Sequence, residues 1–83
     1  MATTVTLSKR SGERVITIDL YQITHTEWVS LWEDKTPLQT KHEIVARVSG
    51  LTADELIALP QGDYMRIVRG LTKANANPLD DPS

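Results

Sequence analysis

This chain has no cysteine, and only four of its 83 residues are aromatic. Without cysteine it cannot form a disulfide framework, and its two histidines, His25 and His42, are far apart with no thiolate beside them, which excludes the usual structural zinc sites. A domain of this size buries a thin core. Since neither a disulfide nor a metal is available to reinforce that core, we expect self-association or docking onto a partner to add stability.

The chain also lacks a basic excess and a long apolar run. Nine Lys and Arg stand against eleven Asp and Glu, for a formal net charge of −2. Proteins that bind nucleic-acid backbones usually carry a surplus of positive charge, so we expect no nucleic-acid partner. No apolar run approaches the roughly 18–20 residues that span a bilayer, and residues 1–4 do not resemble a signal peptide. The sequence therefore predicts a cytosolic protein with no membrane partner.

Motifs that carry catalysis or bind cofactors are missing as well. The four glycines are scattered, which excludes a glycine-rich phosphate loop, and no metalloprotease or EF-hand pattern occurs. Neither histidine has a serine or cysteine nucleophile with an orienting carboxylate nearby in sequence. The adjacent carboxylates Asp54 and Glu55 fall in the first turn of an expected helix, where they serve capping. We expect no catalytic, metal or cofactor-binding residue, and hence no enzyme.

What the sequence does contain is a clear α+β pattern. Apolar and polar residues alternate near the amino end, and Ile16, Ile18 and Leu20 share one face of a second run that extends from Arg14 to Leu20. The polar stretch around Gly12 joins the two runs, which predicts a small antiparallel β-hairpin over residues 3–20. An isolated hairpin is marginal in water, so the following helices or another subunit must cover its apolar face.

Three or four short helices should follow the hairpin. The segments Thr24–Glu27 and Thr52–Glu55 match the capping box, and Thr36–Gln39 repeats the pattern with a proline at the first helical position. Asp63 is expected to cap the last helix. The expected helices cover about 25–34, 37–49, 53–59 and 64–73, in a single domain over residues 1–74, with a disordered tail over 75–83.

The second of these helices has the clearest buried face. Gly50 suits the left-handed position that ends a helix. Glu43 and Arg47 are spaced to form an ion pair one turn apart. The residues expected on the buried side are Leu38, Ile44, Val45 and Val48.

An apolar stripe on the first helix is the strongest candidate for a partner-binding surface. Trp28, Leu31 and Trp32 recur at helical spacing, and the two tryptophans are half of all the aromatic residues. Two indoles on one short helix are explained equally well as core and as an interface, where tryptophan is favoured. Both interpretations stay open at this stage.

A basic stripe on the last helix is the second candidate. Arg66, Arg69 and Lys73 lie at i, i+3 and i+7. Such a row is usually a solvated helix face, and the sharper hypothesis is contact with an acidic partner or with nucleic acid. A helix-turn-helix over residues 43–58 would use Asp54 and Glu55 next to phosphates, and their negative charge argues against it.

The carboxyl-terminal half resembles a known family. Residues 42–56, followed by Leu59 and the pair Asp63–Tyr64, are similar to the tail assembly chaperones of long-tailed bacteriophages and related prophages. In that family a helix ends in a Gly-Leu-Ser/Thr step, a short acidic helix and a leucine follow, and an Asp-Tyr pair opens the last helix. The resemblance extends in layout over residues 3–73 and in residue detail over 42–64, and it departs from the family at residues 60–62.

The resemblance implies a non-enzymatic role in the cytoplasm of an infected bacterial host. Members of the family bind the tape measure protein, keep it soluble and promote assembly of tail tube protein around it. They self-associate, so a homo-oligomer is expected, and they are absent from the mature virion. Two alternatives remain: a small structural tail or connector subunit of the particle, and a small DNA-binding regulator that uses the basic stripe.

Overall fold

The computed structural model describes residues 3–76, and it has the predicted α+β architecture: an amino-terminal antiparallel strand pair followed by four helices. Two short 3-10 turns, Lys9–Ser11 and Leu20–Gln22, flank the second strand. The elements are β1 Thr3–Thr6, β2 Val15–Ile18, α1 His25–Leu31, α2 Leu38–Ser49, α3 Ala53–Ile57 and α4 Gln61–Asn75. Of the predicted disordered tail, Asn75 belongs to α4, and residues 77–83 lie outside the described part of the chain.

The hairpin is held by a regular ladder that starts at its closed end. Val5 of β1 lies opposite Ile16 of β2, and the Leu7 N–H donates to the Arg14 carbonyl at 2.8 Å. Gly12 closes the turn in the left-handed region with φ 73°. The second strand is shorter than the predicted run from Arg14, because Leu20 belongs to the 3-10 turn that leads toward α1.

Helix α4 lies against the hairpin and supplies the most deeply buried side chains. Ile67 and Leu71 are completely inaccessible to solvent. Between them Gly70 faces the sheet, where a Cβ atom would overlap Val5 Cγ2 and also contact Ile18. The absent side chain is therefore what allows the strands to approach this helix closely.

Helix α2 contacts β2, α1 and α3. Its predicted core residues Ile44, Val45 and Val48 are all buried. Gly50 adopts φ 74° and ends the helix as predicted, and the Leu51 N–H that follows donates to Ala46 at 3.0 Å. This left-handed stop turns the chain directly into α3.

Three expectations about α2 were wrong. The helix begins at Leu38 and not at residue 37, because Pro37 itself has the extended ψ of 141° that marks the capping position. Thr36 is therefore one residue too early to cap the helix, and Pro37 has no side-chain acceptor. The shift places Leu38 at the first helical position, where it is 65% exposed and not buried. Arg47 pairs with Glu27 of α1 rather than with Glu43.

The bounds of the other three helices also differ from the predicted ones. Helix α1 stops at Leu31 and α3 at Ile57, each earlier than predicted. Helix α4 begins three residues early, at Gln61, because Pro60 takes the capping position with ψ 147°. The expectation that Asp63 caps α4 was therefore wrong, and Asp63 lies within the first turn of the helix.

Candidate partner-binding surface

The amino end of α1 is fixed by the predicted capping box. Thr24 Oγ1 accepts from the Glu27 N–H at 3.2 Å, and Glu27 Oε1 accepts from the Thr24 N–H at 3.0 Å. The same carboxylate receives two hydrogen bonds from the Arg47 guanidinium of α2. The Thr24 backbone N–H, followed by Arg47, lowers the pKa of Glu27 below its usual value. Helix α1 is thus anchored to α2 through a polar contact at the surface.

The three residues of the apolar stripe have different surroundings. Leu31 is buried, at 6% exposure, and contributes to the core. Trp28 is half-buried against that core, whereas Trp32 is 47% exposed. The two indoles meet edge to face, with their ring centroids 5.3 Å apart and their planes at 73°, which is a favoured geometry for aromatic pairs. Core and interface interpretations therefore apply to different members of the stripe.

A small surface cavity lies beside the indole pair. It has a volume of about 160 Å³ and is lined by Leu20, Ile23, Thr24, His25, Trp28 and Asn75. Three of the lining residues, Leu20, Ile23 and Trp28, are apolar, and Thr24, His25 and Asn75 contribute polar groups. Together with Val29, which is 43% exposed, and Trp32, the cavity makes an apolar surface at α1 that we call the tryptophan surface.

The basic stripe lies on a different part of the molecule. Arg66, Arg69 and Lys73 line an open groove of about 250 Å³, together with Gly70 and residues 4–6 of β1. Arg66 donates to the Thr6 carbonyl at 3.0 Å. Periodicity predicted that the three cations share a helix face, but it could not show that this face borders the edge of β1.

Asp63 is a functional-looking carboxylate that has a structural role. It is 1% exposed, and it accepts hydrogen bonds from the Ser8 N–H at 2.8 Å, from Ser8 Oγ at 2.8 Å and from Ser11 Oγ. The hydrogen bond from Ser11, followed by that from the Ser8 N–H, lowers its pKa. These bonds join the hairpin connection to the first turn of α4. The partners are separated by more than fifty positions, so no local spacing signals the contact.

Two of the remaining ionisable residues, His42 and Glu55, contact neighbouring side chains. The His42 ring meets Tyr64 edge to face, with centroids 5.9 Å apart, and burial raises the pKa of Tyr64. Glu55 caps α3 and binds Arg14 at 3.0 Å, and the Arg14 hydrogen bond is the main cause that lowers its pKa. Asp54 lies in the first turn of α3 as expected.

Residues 3–76 contain neither a metal-binding cluster nor a helix that could span a membrane. No cluster of three or more His, Cys, Asp or Glu side chains with metal-binding geometry occurs there. None of the helices in this part of the chain has the length and apolarity needed to cross a membrane. Comparisons of the whole chain with protein-family models, with curated proteins and with solved structures found no match.

Proposed function

We propose that this protein is a non-enzymatic phage tail assembly chaperone, which binds the tape measure protein and promotes assembly of tail tube protein around it. It acts in the cytoplasm of the infected host and leaves before the virion is complete. The observation that carries the proposal is the exposed Trp32, held edge to face by Trp28 on a short anchored helix. The resemblance of residues 42–64 to the family supplies the identity of the client.

The size of the tryptophan surface indicates weak contacts that are repeated. An aromatic side chain buries about 150–250 Å² in all, so covering the exposed part of Trp32 removes roughly 100 Å² from water. At about 25 cal/mol per Å² that contact contributes on the order of 2.5 kcal/mol, which is too little to hold a client alone once the entropy of association is included. Several copies along an elongated helical client bind more tightly through multivalency.

Anchoring of α1 makes this contact efficient. The capping box and the Glu27–Arg47 ion pair hold the helix in place, and the edge-to-face contact restrains Trp32. Little side-chain freedom is therefore lost when a client covers the indole, which reduces the entropic cost of each contact. The tryptophan surface fits a stretch of client helix that carries apolar residues three and four positions apart.

Co-expression with the tape measure protein of the same gene cluster tests the proposal. We expect the wild-type protein to increase the soluble fraction of the client and Trp32→Ala to abolish most of that increase. Met65→Ala is the matched control, because Met65 is similarly exposed, at 43%, and lies at the opposite end of α4 from Asn75, which lines the cavity beside Trp28. If the wild-type protein left the client's solubility unchanged, the proposal would be wrong.

Mass spectrometry of purified virions separates a chaperone from a structural tail subunit. A chaperone that leaves during assembly is abundant in infected cells and absent from mature particles. A fixed number of copies per particle would favour the structural subunit instead.

A further inference from the structure

An apolar groove lies where the closed end of the hairpin faces the connection between α3 and α4. It has a volume of about 300 Å³. The apolar side chains that line it are Leu7, Leu51, Ala58, Leu59 and Pro60. The last three of these are exposed or half-buried, so they form an apolar wall that a partner can reach. The groove shares no lining residue with the cavity beside Trp28.

One cation at the rim of this groove is uncompensated. Arg14 also lines the groove, but it binds Glu55 at 3.0 Å, which compensates its charge. The Arg10 side chain is exposed, and within residues 3–76 it has no hydrogen bond or ion pair. The groove therefore presents an apolar wall beside one available guanidinium.

The carboxyl end of α1 has the complementary pattern. Trp32 is 47% exposed, and the Asp34 side chain is exposed and makes no hydrogen bond or ion pair in the described part of the chain. Glu33 between them pairs with Lys35 at 3.4 Å. Arginine over an indole face is a favourable cation–π arrangement, and two residues span at most about 7 Å. An indole in the groove can therefore contact Arg10 while the Asp34 carboxylate faces the same guanidinium.

We propose that Trp32 of one copy of this protein docks in the groove of a second copy, with the indole against Leu59 and Pro60 and with Arg10 facing Asp34. Burial of the indole supplies the attraction, and the charged pair sets the orientation. The two contacting patches are different, so the contact is heterologous, and each copy keeps one patch for a further copy. The inference does not depend on the proposed function, although a bound client would compete for Trp32.

Two other occupants fit the two patches less well. In a symmetric contact of Trp32 with Trp32 of a second copy, the acidic residues that follow each indole would face each other, and like charges across an interface are costly. A nucleic-acid phosphate would attract Arg10, but it would leave the apolar wall uncovered and would lie near the Glu55 carboxylate. An indole followed by a carboxylate satisfies both the wall and the cation.

Sedimentation velocity of the full chain over a range of concentrations tests the proposal without any client. We expect reversible self-association at low salt, and Arg10→Glu should weaken it about tenfold or more, because a like charge then faces Asp34. Lys9→Glu is the matched control and should weaken it much less, since Lys9 is an exposed cation of the same 3-10 turn that does not line the groove. Combining Arg10→Glu with Asp34→Lys should restore most of the association, because the charged pair returns with its signs exchanged. Circular dichroism verifies that each variant is folded.

Mixing two variants tests the heterologous geometry. Trp32→Ala keeps an intact groove and Arg10→Glu keeps an intact indole, so each should be monomeric alone, and the mixture should form a one-to-one dimer and no larger species. A chain that stays monomeric at low salt, equal effects of Arg10→Glu and Lys9→Glu, no recovery in the charge-exchanged variant, or no dimer in the mixture would each overturn the proposal. Loss of association in an Asp80→Asn, Asp81→Asn variant as large as that in Arg10→Glu would also overturn it, because these carboxylates would then be the partners of the groove.

Discussion

The hairpin–α4 side and the α1 side of this molecule each hold a carboxylate with several hydrogen bonds, but at very different burial. Asp63 is 1% exposed and joins two elements that are distant in sequence. The Glu27 side chain is 27% exposed, and its partner Arg47 is 49% exposed. A buried carboxylate that lost its donors would be left unsatisfied, whereas an exposed one is hydrated by water. The first contact therefore stabilises the packing of the hairpin connection on α4, and the second orients a surface helix.

The apolar residues of the two sides differ in the same way. Ile67 and Leu71 of α4 have no exposed surface, whereas Val29 of α1 and Trp32, the capping residue at its carboxyl end, are about half exposed at 43% and 47%. The hairpin–α4 side thus buries these two side chains in its own core. The α1 side keeps an aromatic side chain in water, where a partner can reach it.

The largest expected effect contrasts the two sides directly. Leu71→Ala should lower the free energy of unfolding by about 2–5 kcal/mol, because it leaves a cavity in the core. Trp32→Ala should lower it by only about 1 kcal/mol, through loss of the edge-to-face contact. Urea denaturation followed by circular dichroism measures both without using the tryptophans as the probe. Similar losses for the two variants would show that Trp32 is a core residue.

The next effect concerns two glycines of the same helix. Gly70→Ala should destabilise the protein by up to about 2 kcal/mol, since overpacking against Val5 costs about 1–3 kcal/mol and the gain in helix propensity of about 1 kcal/mol offsets part of it. Gly62→Ala is the control: a Cβ atom at Gly62 would have no neighbour within 4 Å, so the same change should stabilise by up to about 1 kcal/mol. Thermal unfolding of both variants decides the sign. A stabilised Gly70→Ala would mean that the strands do not approach α4 closely.

A smaller effect compares the two capping boxes. Thr24→Ala and Thr52→Ala each remove the side-chain acceptor at a helix start and should each cost about 1 kcal/mol. Their consequences for binding should differ, because only α1 carries the tryptophan surface. We expect Thr24→Ala to weaken client binding and Thr52→Ala to leave it nearly unchanged, as measured by co-purification. Equal losses of binding would indicate that the surface extends to α3.

The smallest effect is the pH dependence of stability, to which several carboxylates contribute. The pKa values of Asp63, Glu27 and Glu55 are all lowered in the folded protein. As the pH falls below about 5, the unfolded carboxyls protonate before the folded ones. The unfolded state then binds more protons, so stability should fall until the pH has passed the folded pKa values. Ser11→Ala removes the main cause of the Asp63 shift and should make this acid loss shallower. Urea midpoints between pH 6 and 3 measure it, and identical pH profiles for the variant and the wild type would contradict this explanation.

Local signals predicted much of the fold. The boxes at Thr24 and Thr52 depend on groups three residues apart, and Gly50 depends on its own backbone freedom, so the sequence alone identifies them. The alternation in the hairpin is equally local. The helix starts at Leu38 and Gln61 were missed. At Pro37, only the ψ angle distinguishes a capping proline from a first helical residue, and Asp63 was a competing candidate for the cap of α4.

Contacts between distant residues could not be predicted. Asp63 meets Ser8 across 55 positions, and Arg47 meets Glu27 across 20. The same limit applies to the candidate surfaces: the spacing of Trp28, Leu31 and Trp32 shows that they share a helix face. Only the packing of α1 shows that Leu31 is covered and Trp32 is not.

The most direct test of the tryptophan surface uses the protein's own fluorescence. Trp28 and Trp32 are its two tryptophans, and both lie at α1, so their emission reports on this surface alone when the tape measure protein carries phenylalanine in place of its tryptophans. On binding, we predict a blue shift of the emission and protection from iodide quenching, because the Trp32 indole leaves water. Binding detected by co-purification with no change in emission or quenching would contradict the assignment of this surface to the client.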